Sequence, residues 1–357
     1  MNYLRFSESV EVLQPNEEEI SAEIGELTLS LCHSVFDRRR HAVRAVHAKS
    51  HGVLKGELIV AEGLPPHLAQ GLFAKPARYP VIIRLSTAPG DVQHDSNRAA
   101  YGFAVKVLGV EGKKLLPDDW SSSQDLLFNN SPILPFGHVR SYLEMARVLA
   151  ASDGTPEGIA RAFSTKMAGG NPWLENIAKL LASATAYNNI LGETFYSMGA
   201  IRYGDYIAKI SLAPQSPELR TLTDVPVDAG EDFSAIRNFV VDFFRAHSAE
   251  YTVRAQLCTD LETMPIEDAS ILWSEEQSPH QQVARLVIPQ QEAYSAARRV
   301  YADEVLSFTP WRAIAEHRPL GSIMRIRRRV YEASSRFRHG QNMQPIAEPK
   351  DVAELPD

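Results

Sequence analysis

The chain has 357 residues, 44% of them hydrophobic, enough to bury one large core or two modest ones. Its formal net charge of -7 offers no general basis for binding nucleic acid or an anionic membrane. The two cysteines, Cys32 and Cys258, are far apart, which excludes a disulfide scaffold and any Cys-x-x-Cys metal or redox site. There is no signal-peptide pattern at the start and no run of about 18 apolar residues, so a soluble, cytoplasmic protein without stable membrane insertion is expected.

In chain order, residues 1–15 read as extended, and Glu17–Cys32 as a helix with Ile20, Ile24, Leu27 and Leu31 at helical spacing. Strand-like runs follow at residues 52–60, 80–86, 101–109 and 124–128, separated by Pro65-Pro66, Pro89-Gly90 and Pro117. Helical patterns then occupy Gly137–Ala150, Pro156–Ala168 and Pro172–Tyr187, the last two with proline in the first turn. Strands are predicted again at Ala200–Ala213, Tyr251–Leu257 and Gln281–Ile288, with a shorter candidate at Ser270–Trp273. Between them, Phe233–His247 carries an apolar stripe of Ile236, Phe239, Val240, Phe243 and Phe244. Helices at Gln290–Ser307 and Gly321–Arg338 complete the pattern, and the polar tail from Gln341 is expected to trail over the surface.

Four strands before a helical insertion and four after it suit a closed antiparallel barrel, because closure removes exposed edges. The expected class is α+β: an eight-stranded antiparallel barrel with surrounding helices. The expected organisation is an N-terminal arm and helix at residues 1–34, a barrel domain at 35–340 and a tail at 341–357.

Five short motifs mark the candidate site. Arg44-Ala45-Val46-His47-Ala48-Lys49 precedes the first strand, and Arg84-Leu85-Ser86-Thr87 ends the second. Gly102-Phe103-Ala104-Val105-Lys106 lies in the third strand, and Asp125-Leu126-Leu127-Phe128-Asn129-Asn130-Ser131-Pro132 ends the fourth. Arg327 and Tyr331 stand one helical turn apart in the last helix. Each has a plain structural reading: a hydrogen-bonded histidine, a strand end, a turn, or a solvated basic face in the case of Arg325, Arg327, Arg328 and Arg329. A solvated face accounts for Arg328 and Arg329 but not for an arginine one turn before a tyrosine on the apolar side.

In these motifs and their order the sequence resembles the haem catalases, and in particular their short catalase-related peroxidase branch. The resemblance extends over residues 40–340. It implies the same barrel, haem b as cofactor, and hydrogen peroxide or an organic hydroperoxide as substrate, with a ferryl intermediate reduced by a second peroxide or a small organic donor. His47 would be the distal base, Asn129 its partner, and Ser86 the group that fixes the histidine ring. Tyr331 would bind iron as phenolate, with Arg327 favouring the anion. Arg44 and Arg84 would pair with the haem propionates. Members of the family are commonly oligomeric, which makes a homo-oligomer an expectation here too. The large catalases' C-terminal domain is expected to be absent.

The resemblance departs from the large catalases after Pro132. Ile133-Leu134-Pro135-Phe136 stands where they have a phenylalanine-rich stretch lining the access channel, which leans the expectation towards peroxidase over dismutation. Val46, before the distal histidine, is the catalase-like choice, against that of the related allene oxide synthases. A fatty-acid hydroperoxide isomerase is the alternative enzyme, and a non-catalytic haem-binding protein the alternative without chemistry. No His-Glu-x-x-His or similar spacing argues for zinc.

Overall fold

The computed structural model describes residues 2–97, 99–119, 121–152, 158, 161–162, 164–165 and 188–357. The two helices expected at Pro156–Ala168 and Pro172–Tyr187 lie largely outside the described residues.

The strands are β1 (Ser50–Val60), β2 (Arg78–Thr87), β3 (Tyr101–Leu108), β4 (Ser123–Asn129), β5 (Phe195–Tyr196), β6 (Ile201–Tyr203), β7 (Tyr206–Pro214), β8 (Ala249–Leu257) and β9 (Gln281–Ile288). All pair antiparallel in the order β5-β4-β3-β2-β1-β9-β8-β7-β6, and β5 also pairs with β7. Those two β5 pairings close eight strands into a barrel, with β6 an extra strand on β7.

Sequence alternation decides what fills the barrel. Phe103 of β3 lies in register with Leu85 and Phe128 on its neighbours, and its ring reaches Phe195 at 5.1 Å and Tyr251 at 5.3 Å. All of these are buried, so the interior is a packed core. Towards one end Phe73, Tyr203 and His317 stack, and His317 meets Gln124 Nε2 at 3.0 Å and accepts from Leu72 N–H at 3.2 Å.

Three longer helices pack together outside the barrel: α1 (Glu17–Arg39), α2 (Val139–Ala151) and a late helix, Ser322–Gln341. Their shared core contains Ile20, Ile24, Val139, Leu143, Ile326 and Val330. The shorter helices are α3 (Pro217–Arg220), α4 (Ala235–Ala246) and α5 (Ala296–Val300), so the late helix is α6. Gly321 precedes α6 at φ +90°, and a Cβ there would lie 2.0 Å from the Ile266 carbonyl oxygen, so only glycine fits this approach. Among the described residues no helix is long and apolar enough to cross a membrane.

Several local expectations are corrected. Ser270–Trp273 is not a strand, because the Asp268 carboxylate accepts from the Ser270 N–H and hydroxyl and forms a turn. The eighth strand of the ring is instead the short β5. The run at Ala200–Ala213 divides into β6 and β7 around Gly204, at φ +61°. Gln290–Ser307 is not one helix: Gln291 exchanges two hydrogen bonds with the Lys55 backbone, and helix starts only at Ala296, capped by Ser295. It then widens into a π-helical turn at Tyr301–Val305. Nor does the tail merely trail over the surface. Glu348 lies 2.6 Å from Lys106 Nζ and 2.8 Å from Arg312 Nη2, and Leu355 is fully buried beside Val53 and Ile82. Two cations buried beside the single carboxylate of Asp125 need that second anion.

Candidate active site

The strand register builds one wall of the site. Ser86, Gly102 and Asn129 lie directly opposite one another on β2, β3 and β4 and so share a face. It is the outward face, since Leu85, Phe103 and Phe128 take the interior. His47 lies over this row: its Nδ1 is 3.1 Å from Ser86 Oγ, and a Cβ on Gly102 would come within 2.5 Å of its Nδ1 and Cε1. Gly102 is therefore the floor on which the imidazole rests.

His47 adopts φ +56°, and its N–H donates to the Ala88 carbonyl at 2.9 Å. Nearby, Gly90 has no side chain to collide with the Ala45 carbonyl, which would lie 2.1 Å from a Cβ. Burial, with the charges of Arg84, Arg327 and Arg44, pushes the imidazole down to about 3, so at neutral pH it is a neutral base. Asn130 is tied to the barrel, its side-chain oxygen accepting from Tyr101 N–H at 2.9 Å. Among the described residues Asn129 has no such tether, so its amide is the one left available.

Helix α6 supplies a second group of residues. Met324, Arg327, Tyr331, Ser334 and Arg338 follow one another at steps of three or four, one stripe of a helix whose other face is packed on α1 and α2. Arg327 Nη2 donates to Tyr331 Oη at 2.5 Å. Ser334 Oγ accepts from Ala45 N–H at 3.1 Å, which ties the histidine-bearing segment to the tyrosine-bearing helix.

The neighbouring arginines have separate partners. Arg325 pairs with Glu11, Glu17 and Glu267, Arg329 with Glu18, and Arg328 lies over Trp311. The basic run is thus committed largely within the molecule.

Arg44 and Arg84 meet at the π-helical turn. Asp303 Oδ1 lies 3.0 Å from Arg84 Nη2 and 3.3 Å from Arg44 Nη1, and Asp303 Oδ2 accepts from Ser50 Oγ at 3.0 Å. Burial works to raise the Asp303 carboxyl, but Arg84 and Arg44 outweigh it and hold it below the usual range. Sequence reasoning missed a third arginine here. Arg338 donates to the carbonyls of Asp303, Glu304 and Leu306, and its Nε is buried without a partner. Its position, seven residues after Tyr331 on the same stripe, was the available signal. Gly102 stands in one of the five motifs, but the sequence reading assigns it no role; the signal for one was a glycine inside an apolar strand.

The structure therefore brings His47, Ser86 and Asn129 together, pairs Arg327 with Tyr331 on α6, and gathers Arg44 and Arg84 at the π-turn.

The overall path of the chain is similar to that of solved catalases. A fungal catalase superposes with a TM-score of 0.63 at 18% identity, over 88% of this chain and 62% of that one. A bacterial catalase gives 0.61 at 17% identity, over 91% and 63%. The chain has the catalase fold. Catalase A from Saccharomyces cerevisiae gives 0.58 at 17% identity, over 99% of this chain and 74% of that one. The chain thus spans less than two thirds of the fungal and bacterial catalases. No family model and no curated protein sequence matches it.

Proposed function

We propose that the chain is a haem-dependent, peroxide-activating oxidoreductase that works as a catalase-related peroxidase. One observation carries the reading: a neutral histidine, fixed by Ser86 and resting on Gly102, is tied through Ala45 and Ser334 to a helix that presents Arg327 and Tyr331.

The residues present fit haem b. Burial and the like charges of Arg84 and Arg338 act against the charge on Arg44, and Asp303 and Glu304 only partly relieve this. Glu304 is itself engaged by His41 and Asn342. Three buried guanidiniums, of which Arg338 keeps an unsatisfied Nε, call for added anions, and two propionates supply them. Tyr331, with Arg327 donating to its oxygen, is suited to hold ferric iron as phenolate. Bound there, haem would supply an iron centre able to cleave a peroxide O–O bond.

The chain's own residues then have defined tasks. His47 Nε2 would take a proton from one peroxide oxygen and return it to the other. Ser86 Oγ accepts from Nδ1–H, which leaves Nε2 unprotonated to face the substrate and fixes the ring plane. The Asn129 amide donates to the peroxide and positions it.

Reconstitution with haem b followed by diode-array stopped flow tests the reading. High-spin tyrosinate haem is expected, with oxidation by hydrogen peroxide reversed by a phenolic donor. Failure to bind haem, or oxygen release dominating at every donor concentration, would overturn it.

A further inference from the structure

The outward row that begins with Ser86, Gly102 and Asn129 does not end at β4. The register continues it through Tyr196 of β5, Ser211 of β7 and Arg254 of β8. The intervening residues Phe195, Leu212 and Val253 face the core, which confirms that the row stays outside the barrel.

Arg254 Nε donates to Ser211 Oγ at 3.2 Å, and Ser211 Oγ lies 3.1 Å from His280 Nδ1. Ser211 is fully buried, and the His280 side chain is 7% exposed. Burial, then the charges of Arg254 and Lys209, push His280 down to about 4, so it is neutral. A hydroxyl that accepts from Arg254 donates to His280 Nδ1, and the tautomer assigned from this network leaves Nε2–H as a donor. Glu275 stands 3.9 Å from Nε2, beyond hydrogen-bond distance, and the Tyr196 ring centroid is 6.0 Å from that of His280.

Among the described residues Arg254 has no carboxylate partner, in contrast to Arg44, Arg84, Arg312 and Arg325. Its outer guanidinium N–H groups, the Nε2–H of His280 and the Tyr196 hydroxyl thus form a half-buried set of donors around one positive charge that no carboxylate among the described residues pairs directly, Glu275 and Glu193 lying near Tyr196.

We propose that Arg254, with His280 and Tyr196, anchors the carboxylate of an amphipathic organic substrate whose reacting end lies at His47 and Asn129. Three strand spacings separate Asn129 from Arg254, about 14 Å along the sheet. Hydrogen peroxide cannot reach both ends of that span. An alkyl or aryl carboxylate can, either as a hydroperoxide or as the donor. The inference rests on the peroxide reading of His47 and Asn129 and narrows its substrate class.

The test is calorimetric titration of the haem-loaded protein with decanoate and, separately, methyl decanoate, with the Soret band followed in parallel. Decanoate is expected to bind more tightly than the ester and to shift the Soret band. Arg254→Gln should weaken decanoate by about tenfold or more and leave the ester unchanged. Arg254→Lys should restore part of the affinity, and thermal unfolding controls for folding. Equal binding of acid and ester to the native protein would overturn the anchor, as would an unaffected Arg254→Gln variant or binding without a Soret shift. Because binding is read without turnover, an inactive protein that still holds decanoate through Arg254 would refute the peroxidase reading and spare the anchor. Competition kinetics then separate the two sources: decanoate should compete with a fatty-acid hydroperoxide if the peroxide occupies the span, and with a carboxylate donor if the donor does.

Discussion

Gly102→Ala is the most discriminating single change at the site. A Cβ there would stand 2.5 Å from Nδ1 and Cε1 of His47 and 2.9 Å from Ser86 Oγ. Ordinary contact between such atoms needs about 3.5 Å, so the imidazole must retreat by about 1 Å. The 3.1 Å contact between Nδ1 and Ser86 Oγ would then stretch past hydrogen-bond range. A displacement of about 1 Å in a positioned catalytic group can cost about a hundredfold in rate. The backbone has no such objection, since Gly102 is not among the residues at positive φ and alanine suits a strand better than glycine. The expected result is therefore a folded protein that binds haem normally, melts within a few degrees of the native protein, and has lost about a hundredfold in kcat/KM for peroxide. Haem titration, a thermal melt and initial rates measure the three together. Activity within threefold of native in a fully loaded variant would refute the argument, because His47 could then not be resting on Gly102 in the loaded protein.

Other outcomes follow from the same structure. Tyr331→Phe should abolish the high-spin tyrosinate spectrum, and Arg327→Leu should weaken it while leaving the fold intact; visible spectra and circular dichroism decide both. Stability should fall in acid. His317, 2% exposed, has its imidazole pushed down to about 4 by burial, below its unfolded value, so the unfolded chain binds the extra proton. Its contribution is complete above the unfolded pKa of about 6.5 and is lost as pH falls towards 4, by about 2 kcal/mol at about pH 5. Denaturant melts of native and His317→Gln protein across this window should show the slope reduced in the variant. Phe103→Ala should cost about 3–5 kcal/mol, since its ring joins opposite walls of the barrel, measurable as a fall in denaturant midpoint.

The long strands and helices were legible because their apolar positions repeat with the period of the element they form. β1 through β4, β8, β9 and α4 fall where alternation or helical spacing puts them. What escaped was set by side chains that act at a distance in sequence. β5 has two residues and no pattern of its own; it is a strand because Asn129 and Ser211 stand on either side of Tyr196. The segment before Ala296 has helical composition, but Gln291 holds it against Lys55. The site divides in the same way. His47, Ser86, Asn129, Arg327 and Tyr331 could be picked out by motif, and Arg44 and Arg84 with them. Asp303, which joins the two arginines, and Gly102, which supports the histidine, become visible only when strand register and the π-turn bring them in.

Under the proposed function, the electrostatics of the site would link cofactor binding to the strength of the base. His47 is a weak base because it is buried and because Arg84, Arg327 and Arg44 surround it with positive charge. Two of those three arginines also meet in the corner at Asp303 where the propionates are proposed to bind. Anions that settle on that corner reduce the positive potential at His47 and move its pKa back towards the range where a general base is most effective. Arg327, the third of them, donates to the Tyr331 oxygen. Under the proposed function, loading of a dianionic cofactor and competence of His47 as a base would therefore be coupled through Arg44 and Arg84. On that reading, a base whose pKa stays depressed until those arginines are neutralised would have little proton-transfer strength, and the chemistry would depend on an occupied site.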